Sequence, residues 1–156
     1  TEPPIVVNGW TIYGHPLFLD QFEQLTAQVE KARAKDPEGY RKSRAAKLLA
    51  AVVTLAFEVI PSDPAREEYR QGKTLGAGRT HWFRAKFFRQ YRLFFRYRDT
   101  TRQKVLVLAW VNDEETKRAH GSRTDAYAVF RTMLERGNPP NDWDALMSRS
   151  SACASK

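Results

Sequence analysis

Apolar side chains recur along this chain with two periods, and the switch between them separates helices from strands. Ile5–Val7 and Trp10–Tyr13 flank Asn8–Gly9, a pair suited to a type I′ turn, which predicts a hairpin or extended arm at the start. From Pro16 the period lengthens. Phe18, Phe22, Leu25 and Val29 make one apolar stripe, predicting a helix to about Lys35. Asp36–Pro37–Glu38 reads as a start signal, with Asp36 as cap, for a second helix running to about Ile60. Its wide apolar face, which includes Leu48, Val52, Ala56 and Ile60, predicts a helix laid over a sheet. Ser62–Asp63–Pro64 starts a further short helix that ends near Arg70.

Beyond Trp82 the period falls to two. Phe83, Ala85 and Phe87 alternate with Arg84 and Lys86; Tyr91, Leu93, Phe95 and Tyr97 alternate with Arg92, Arg96 and Arg98. This predicts a hairpin, and only an odd-length connection, pairing Lys86 with Arg92, keeps its two faces distinct. The expected result is an apolar core face and an outer face carrying Arg84, Lys86, Arg92 and Arg96. Lys104–Val111 is apolar at every position after the first, as in a strand covered on both sides. Asn112 is placed to cap a short helix Asp113–His120, and Thr124 to cap a last one, Asp125–Arg136, that stops at Gly137. Asn138–Pro139–Pro140 is a connector and Trp143–Met147 one more turn. Residues 1–147 read as one domain, and 148–156 as a disordered tail.

Charge sharpens this picture. Between Arg70 and Arg98 there are nine Lys or Arg and no acid, interleaved with eight aromatic residues. Over the 156 residues the net charge is +8 and the isoelectric point about 9.8, a balance that favours a polyanionic partner. Cys153 is the only cysteine, so a disulfide framework is excluded and a reducing cytoplasm fits. No apolar run reaches the length of a membrane span, so no membrane role is expected. Gly72–Lys73–Thr74 fails as a phosphate-binding loop, because Glu67 stands where its first Gly belongs and a strand rather than a helix follows. Gly76–Ala77–Gly78 fails as a dinucleotide motif for want of a third Gly, and both are read as a flexible loop. His15, His81 and His120 lack metal-ligand spacing, and no metal or cofactor is expected.

The phrases VNGWTIYGHPLF, GKTLGAG, YRLFFRY, LAWVNDEET and DAYAVFRTMLERGNPP resemble the YhaV family of bacterial toxins, within the RelE/ParE group, over residues 6–145. The resemblance implies an α+β, RelE-like compact domain. Its antiparallel sheet would comprise a three-stranded C-terminal meander and an N-terminal strand or hairpin, packed against two long helices and a C-terminal helix. It also implies cleavage of mRNA in the ribosomal A site and a cognate PrlF-type antitoxin, with operator DNA bound only through that antitoxin. Arg84 and Lys86 match the group's alternating basic pair, and Arg92 the Arg of its RLxY-like phrase. A basic residue expected past the last strand is replaced by Asn112–Asp113–Glu114. Lys117, Arg118, His120, Arg123 and Tyr127 are the candidates for its role.

Metal-independent RNA cleavage needs a base for the 2′-OH, cations for the phosphorane and an acid for the leaving 5′-oxygen. Arg92 suits charge stabilisation. Lys86, His120 and Tyr127 suit proton transfer, His120 foremost because an imidazole titrates near neutral pH. Lys73, Arg79, Arg96, Arg118 and Arg123 would bind RNA phosphates, while Trp82 and Phe94 would stack on bases. The rival readings are a ParE-like gyrase poison and a non-catalytic nucleic-acid-binding module.

Overall fold

The protein was analysed as a computed structural model that describes residues 3–113 and 125–154. A short hairpin opens it: β1 (Val6–Val7) and β2 (Trp10–Gly14) are joined through Asn8 and Gly9. Both turn residues have positive φ, 51° and 84°, as a type I′ turn requires. α1 (Pro16–Lys35) follows, with His15 as its cap: the imidazole Nδ1 accepts from Leu17 N at 3.1 Å.

The second helix does not start where Asp36–Pro37–Glu38 predicts. Asp36 ends α1, its carboxylate accepting from Gly39 N at 3.0 Å. α2 (Arg44–Thr54) is capped by Ser43, whose Oγ accepts from Ala46 N at 3.2 Å. Asx and Ser signals look alike in sequence, and here the Asp closes a turn while the Ser opens the helix. α2 continues through one π turn, Leu55–Val59, into α3 (Ile60–Ser62). The wider turn lies just before Pro61, whose missing N–H and bulky ring strain an ordinary α-helical ladder. The stretch Arg44–Ser62 is long and apolar enough by length and composition to cross a membrane, contrary to the expectation that no run reaches that length. In the fold it lies against the sheet, with Val52, Ala56 and Ile60 buried. The segment after it is a single 3-10 turn, Glu67–Tyr69.

The basic region forms β3 (Phe83–Phe87) and β4 (Tyr91–Asp99), followed by β5 (Lys104–Val111). Lys86 pairs with Arg92 and Phe87 with Tyr91 across a three-residue connection, the register that face purity demands. The sheet runs β1-β2-β5-β4-β3. Its pairings are antiparallel except β2 with β5, which run parallel. The α+β class is as expected.

Two features depart from the expected layout. First, residues 149–154 are part of the fold: α5 (Trp143–Arg149) leads into β6 (Ser151–Ala152), which pairs with β2, and Cys153 is buried. Polar composition suggested disorder, but the backbone of these residues completes a sheet edge. Second, the sheet has a core on each side. α1 and α2 cover one face over Ile12, Leu93, Phe95, Leu106 and Leu108. α4 (Ala126–Glu135) and α5 cover part of the other over Trp82, Phe94, Val107 and Trp110. A bulge assists the second core: Phe94 faces Trp110 while Phe95 faces Leu108, leaving Ala109 as the extra residue. The bulge turns Trp110 to the side of Phe94, where it stacks with Phe94 (6.0 Å) and Phe130 (5.7 Å).

Candidate active site

Arg84 on β3, Arg92 on β4 and Tyr127 on α4 meet on this second face, with Arg92 and Tyr127 buried. Asp125 caps α4, its carboxylate accepting from Tyr127 N at 3.0 Å, which fixes Tyr127 in the first turn. The Tyr127 hydroxyl oxygen accepts from Arg84 Nε at 2.7 Å and Arg92 Nε at 3.1 Å. Arg92 also lies over the Tyr127 ring, 5.9 Å from its centroid. Nη1 of each guanidinium donates to backbone carbonyls: Arg84 to Glu68 (2.7 Å) and Arg70 (2.8 Å), Arg92 to Arg89 (2.8 Å) and Tyr91 (2.9 Å). Two cations thus converge on one phenol, each held from two sides, and neither has a carboxylate partner among the described residues. Each Nη2 has no hydrogen bond among the described residues. A guanidinium in that state is set up to bind a phosphate oxygen.

Lys86 is exposed and sits opposite Arg92 in the ladder. Beside it a cleft of about 540 Å³ opens between Leu55 and Val59 of the π turn, Glu67–Arg70, and Arg84–Lys86. Arg84 therefore reaches from this cleft to Tyr127.

The expected outer face is only partly outer. Arg92 is buried, and so is Arg96, whose Nη1 donates to Asn141 O at 2.7 Å while its guanidinium lies between the Trp82 (5.4 Å) and Trp143 (5.1 Å) rings. Burial first, and then the Arg98 charge, lowers the Arg96 pKa to about 10. Its expected contact with RNA phosphate is replaced by a structural role in seating α5. Trp82 and Phe94 are fully buried, so they do not offer a face to a base. Phe94 instead stacks on Phe130 at 4.3 Å, and Trp82 Nε1 donates to Asn141 Oδ1 at 3.0 Å. Their place beside basic residues reflects the apolar side of α4 packing over them.

Lys73 is exposed and Arg79 half-buried on the loop before β3. This loop is organised, not loose. The buried Gln71 accepts from Thr74 Oγ1 (2.6 Å) and Leu75 N (3.2 Å) and donates to Arg79 O (2.7 Å). Arg79 itself donates to Leu75 O at 3.0 Å, apart from the Arg84–Tyr127–Arg92 group. Lys117, Arg118, His120, Arg123 and Thr124 lie outside the described residues, as does all but the first residue of the short helix expected over Asp113–His120.

Asn112 is a contributor that sequence reasoning read only as a helix cap. Its Oδ1 accepts from Arg92 N at 2.6 Å and its Nδ2 donates to Gln90 O at 2.9 Å, so it fastens the hairpin turn to the end of β5. The signal was its position directly after an all-apolar strand, where an amide has backbone groups within reach. His81 was set aside as a metal ligand; it contacts Asn141 Oδ1 at 3.0 Å. Burial, and then Arg96, hold its pKa below the usual value.

Residues 12–151 match a family model described as a toxin with endonuclease activity, of a toxin-antitoxin system. Toxin YhaV of Escherichia coli O6:H1 and Ribonuclease toxin YhaV of Escherichia coli K12 are each 48% identical over 145 residues, covering 92% of this chain and 93% of theirs. No solved structure matches the chain. With a family model spanning residues 12–151 and relatives 48% identical over 92% of its length, this chain belongs to the YhaV family of endonuclease toxins of toxin-antitoxin systems.

Proposed function

We propose that this toxin is an endoribonuclease that cuts mRNA on the ribosome, in the A site, with the Arg84–Tyr127–Arg92 cluster as its phosphate-binding centre. The observation that carries this reading is the convergence of two guanidiniums on one phenol oxygen, with an Nη2 on each directed to no partner among the described residues. Ribonuclease activity is named for the K12 relative, and the ribosomal setting rests on the resemblance to RelE-like toxins. In the reaction the 2′-oxygen attacks the adjacent phosphorus and the P–O5′ bond breaks. The products carry a 2′,3′-cyclic phosphate and a 5′-hydroxyl. The proton leaves the 2′-OH for a base, and another is delivered to the 5′-oxygen. Arg84 and Arg92 stabilise the dianionic phosphorane. Lys86, at the mouth of the cleft, and Tyr127 are the proton-carrying groups beside them, and His120 is the further candidate. A PrlF-type antitoxin silences the site by covering this face, and reaches operator DNA on the toxin's behalf.

Mapping mRNA ends in a translating extract tests the reading, with and without ribosomes. Arg84→Ala and Tyr127→Phe are expected to lower cleavage by about 10²-fold or more while the protein stays folded and ribosome-bound. His120→Gln separates a titrating role from mere hydrogen bonding. Full cleavage by Arg84→Ala would remove the cluster from the mechanism. Loss of DNA supercoiling activity of gyrase, with no new mRNA ends, would transfer the protein to the ParE-like class.

A further inference from the structure

The hairpin tip carries a bulky aromatic in a conformation that such residues avoid. Phe88 has φ +45° and Arg89 φ +62°, the left-handed region that costs a side chain with a Cβ about 1 kcal/mol or more. Phe88 is 54% exposed, so the strain is not repaid by burial. Its ring leans on Phe87 (5.5 Å) and Tyr91 (6.5 Å), which hold it in place and leave much of it to solvent. The tip beneath it is rigidly tied, since Arg92 Nη1 binds Arg89 O and Tyr91 O, and Asn112 Nδ2 binds Gln90 O.

Phe88 overhangs a cavity of about 470 Å³ bounded by Lys42, Arg44, Lys47, Leu48, Gln90 and Tyr91. No acid lines it. Lys42 and Lys47 are exposed and form no ion pair among the described residues, while Arg44 donates to the Tyr91 hydroxyl at 2.8 Å. An aromatic plane bordered by unpaired ammonium groups is the surface that single-stranded nucleic acid uses, one base stacked and the flanking phosphates neutralised. Phe88 also lies one residue beyond β3 and two from Lys86, so an RNA strand leaving the Arg84–Lys86 cleft along β3 meets the tip next.

We infer that Phe88, with Lys42 and Lys47, forms a subsite for single-stranded RNA flanking the scissile phosphate, the base stacking on Phe88 and the phosphates on the two lysines. It rests on the ribonuclease reading but is tested by binding alone. The probe is a fluorescein-labelled, fully 2′-O-methylated oligoribonucleotide, which has no nucleophile and stays uncut. Anisotropy titrations should show Phe88→Ala weakening binding about tenfold, the range of one base stack, with Phe88→Trp retaining it. The Lys42→Gln/Lys47→Gln variant should reduce the log–log salt slope by about 0.7 per lysine. Binding of the same sequence as a duplex, whose bases are stacked inside, should be unaffected by Phe88→Ala.

Phe88→Gly separates function from folding. It relieves the positive φ, so Tm should hold or rise while RNA binding falls. Unchanged RNA affinity in Phe88→Ala and Phe88→Gly overturns the subsite, as does failure of the wild-type protein to bind the probe. If Phe88→Ala is neutral while Lys42→Gln/Lys47→Gln weakens RNA and poly-glutamate alike, the surface is a plain charge patch for an acidic protein, and base stacking is refuted. Binding that follows these expectations without cleavage of mRNA would instead sink the ribonuclease reading and leave the subsite standing.

Discussion

His15 shows how much a single residue can decide without being legible in sequence. Histidine is an unusual helix cap, and only the structure reveals that its Nδ1 receives the Leu17 N–H while the ring is buried. Burial, and then the Arg149 charge, lower its pKa, so the folded protein holds His15 neutral while an unfolded chain binds its proton near pH 6.5. The unfolded state then carries more protons between the two values, and stability rises with pH there. The contribution is complete above pH 6.5 and is lost as pH falls toward the depressed folded value, where protonation also removes the capping acceptor. Thermal unfolding from pH 7.5 to 5 should show this fall, and His15→Asn, which keeps a capping acceptor, should flatten it; His81 contributes in the same direction. An identical pH dependence in His15→Asn would exclude the cap as its source. By contrast, the side of the sheet that Arg84 and Arg92 share was legible, because alternation with aromatics fixes which way a strand residue points, while the burial of Arg92 was not. Trp82 and Phe94 were misread for the converse reason: alternation gives the side of the sheet, and says nothing of what covers that side.

Elements whose hydrophobic period is strong were found close to where the sequence puts them: α1, β4 and β5 agree with the pattern to within a residue or two. Boundaries set by polar signals did not fare as well, since Asp36 and Ser43 both offer capping oxygens and the choice between them depends on how α1 ends. Urea unfolding checks the outcome. Ser43→Ala should cost about 1 kcal/mol, and Asp36→Ala less, because Asp36 closes an exposed turn. Equal losses would mean that both residues initiate α2. The bulge at Ala109 was hidden for a different reason. An unbroken apolar run contains no polar residue to mark a change of phase, although the same run did announce that the sheet is covered on both faces. That cover is also why Arg92 is not a neutral position to truncate: Arg92→Ala takes away the guanidinium donor to the Arg89 and Tyr91 carbonyls and one of the two guanidinium donors to the Tyr127 hydroxyl, and a drop in Tm of several degrees is expected beside any loss of activity.

At the scale of the molecule, the last described residues belong to the same sheet as the first. Ile5 N donates to Cys153 O at 2.7 Å and Cys153 N to Ile12 O at 2.8 Å, and burial raises the Cys153 thiol pKa to about 11. Truncation after Ser150 should therefore lower the urea midpoint clearly, by stripping β6 from β2 and uncovering the core at Cys153; an unchanged midpoint would show that residues 151–154 are dispensable to the fold. The parallel pairing of β2 with β5 has the same character, joining residues 11–14 to residues 105–108 with no turn to bring them together. Partnerships between such distant parts of a chain form slowly, because a long loop must close before they are rewarded. A ribosome making this protein thus releases β2 early and keeps it waiting for β5, then α4 with Tyr127, then β6. The convergence of Arg84, Arg92 and Tyr127 waits on α4, so a chain released only as far as β5 carries both guanidiniums without the phenol that gathers them.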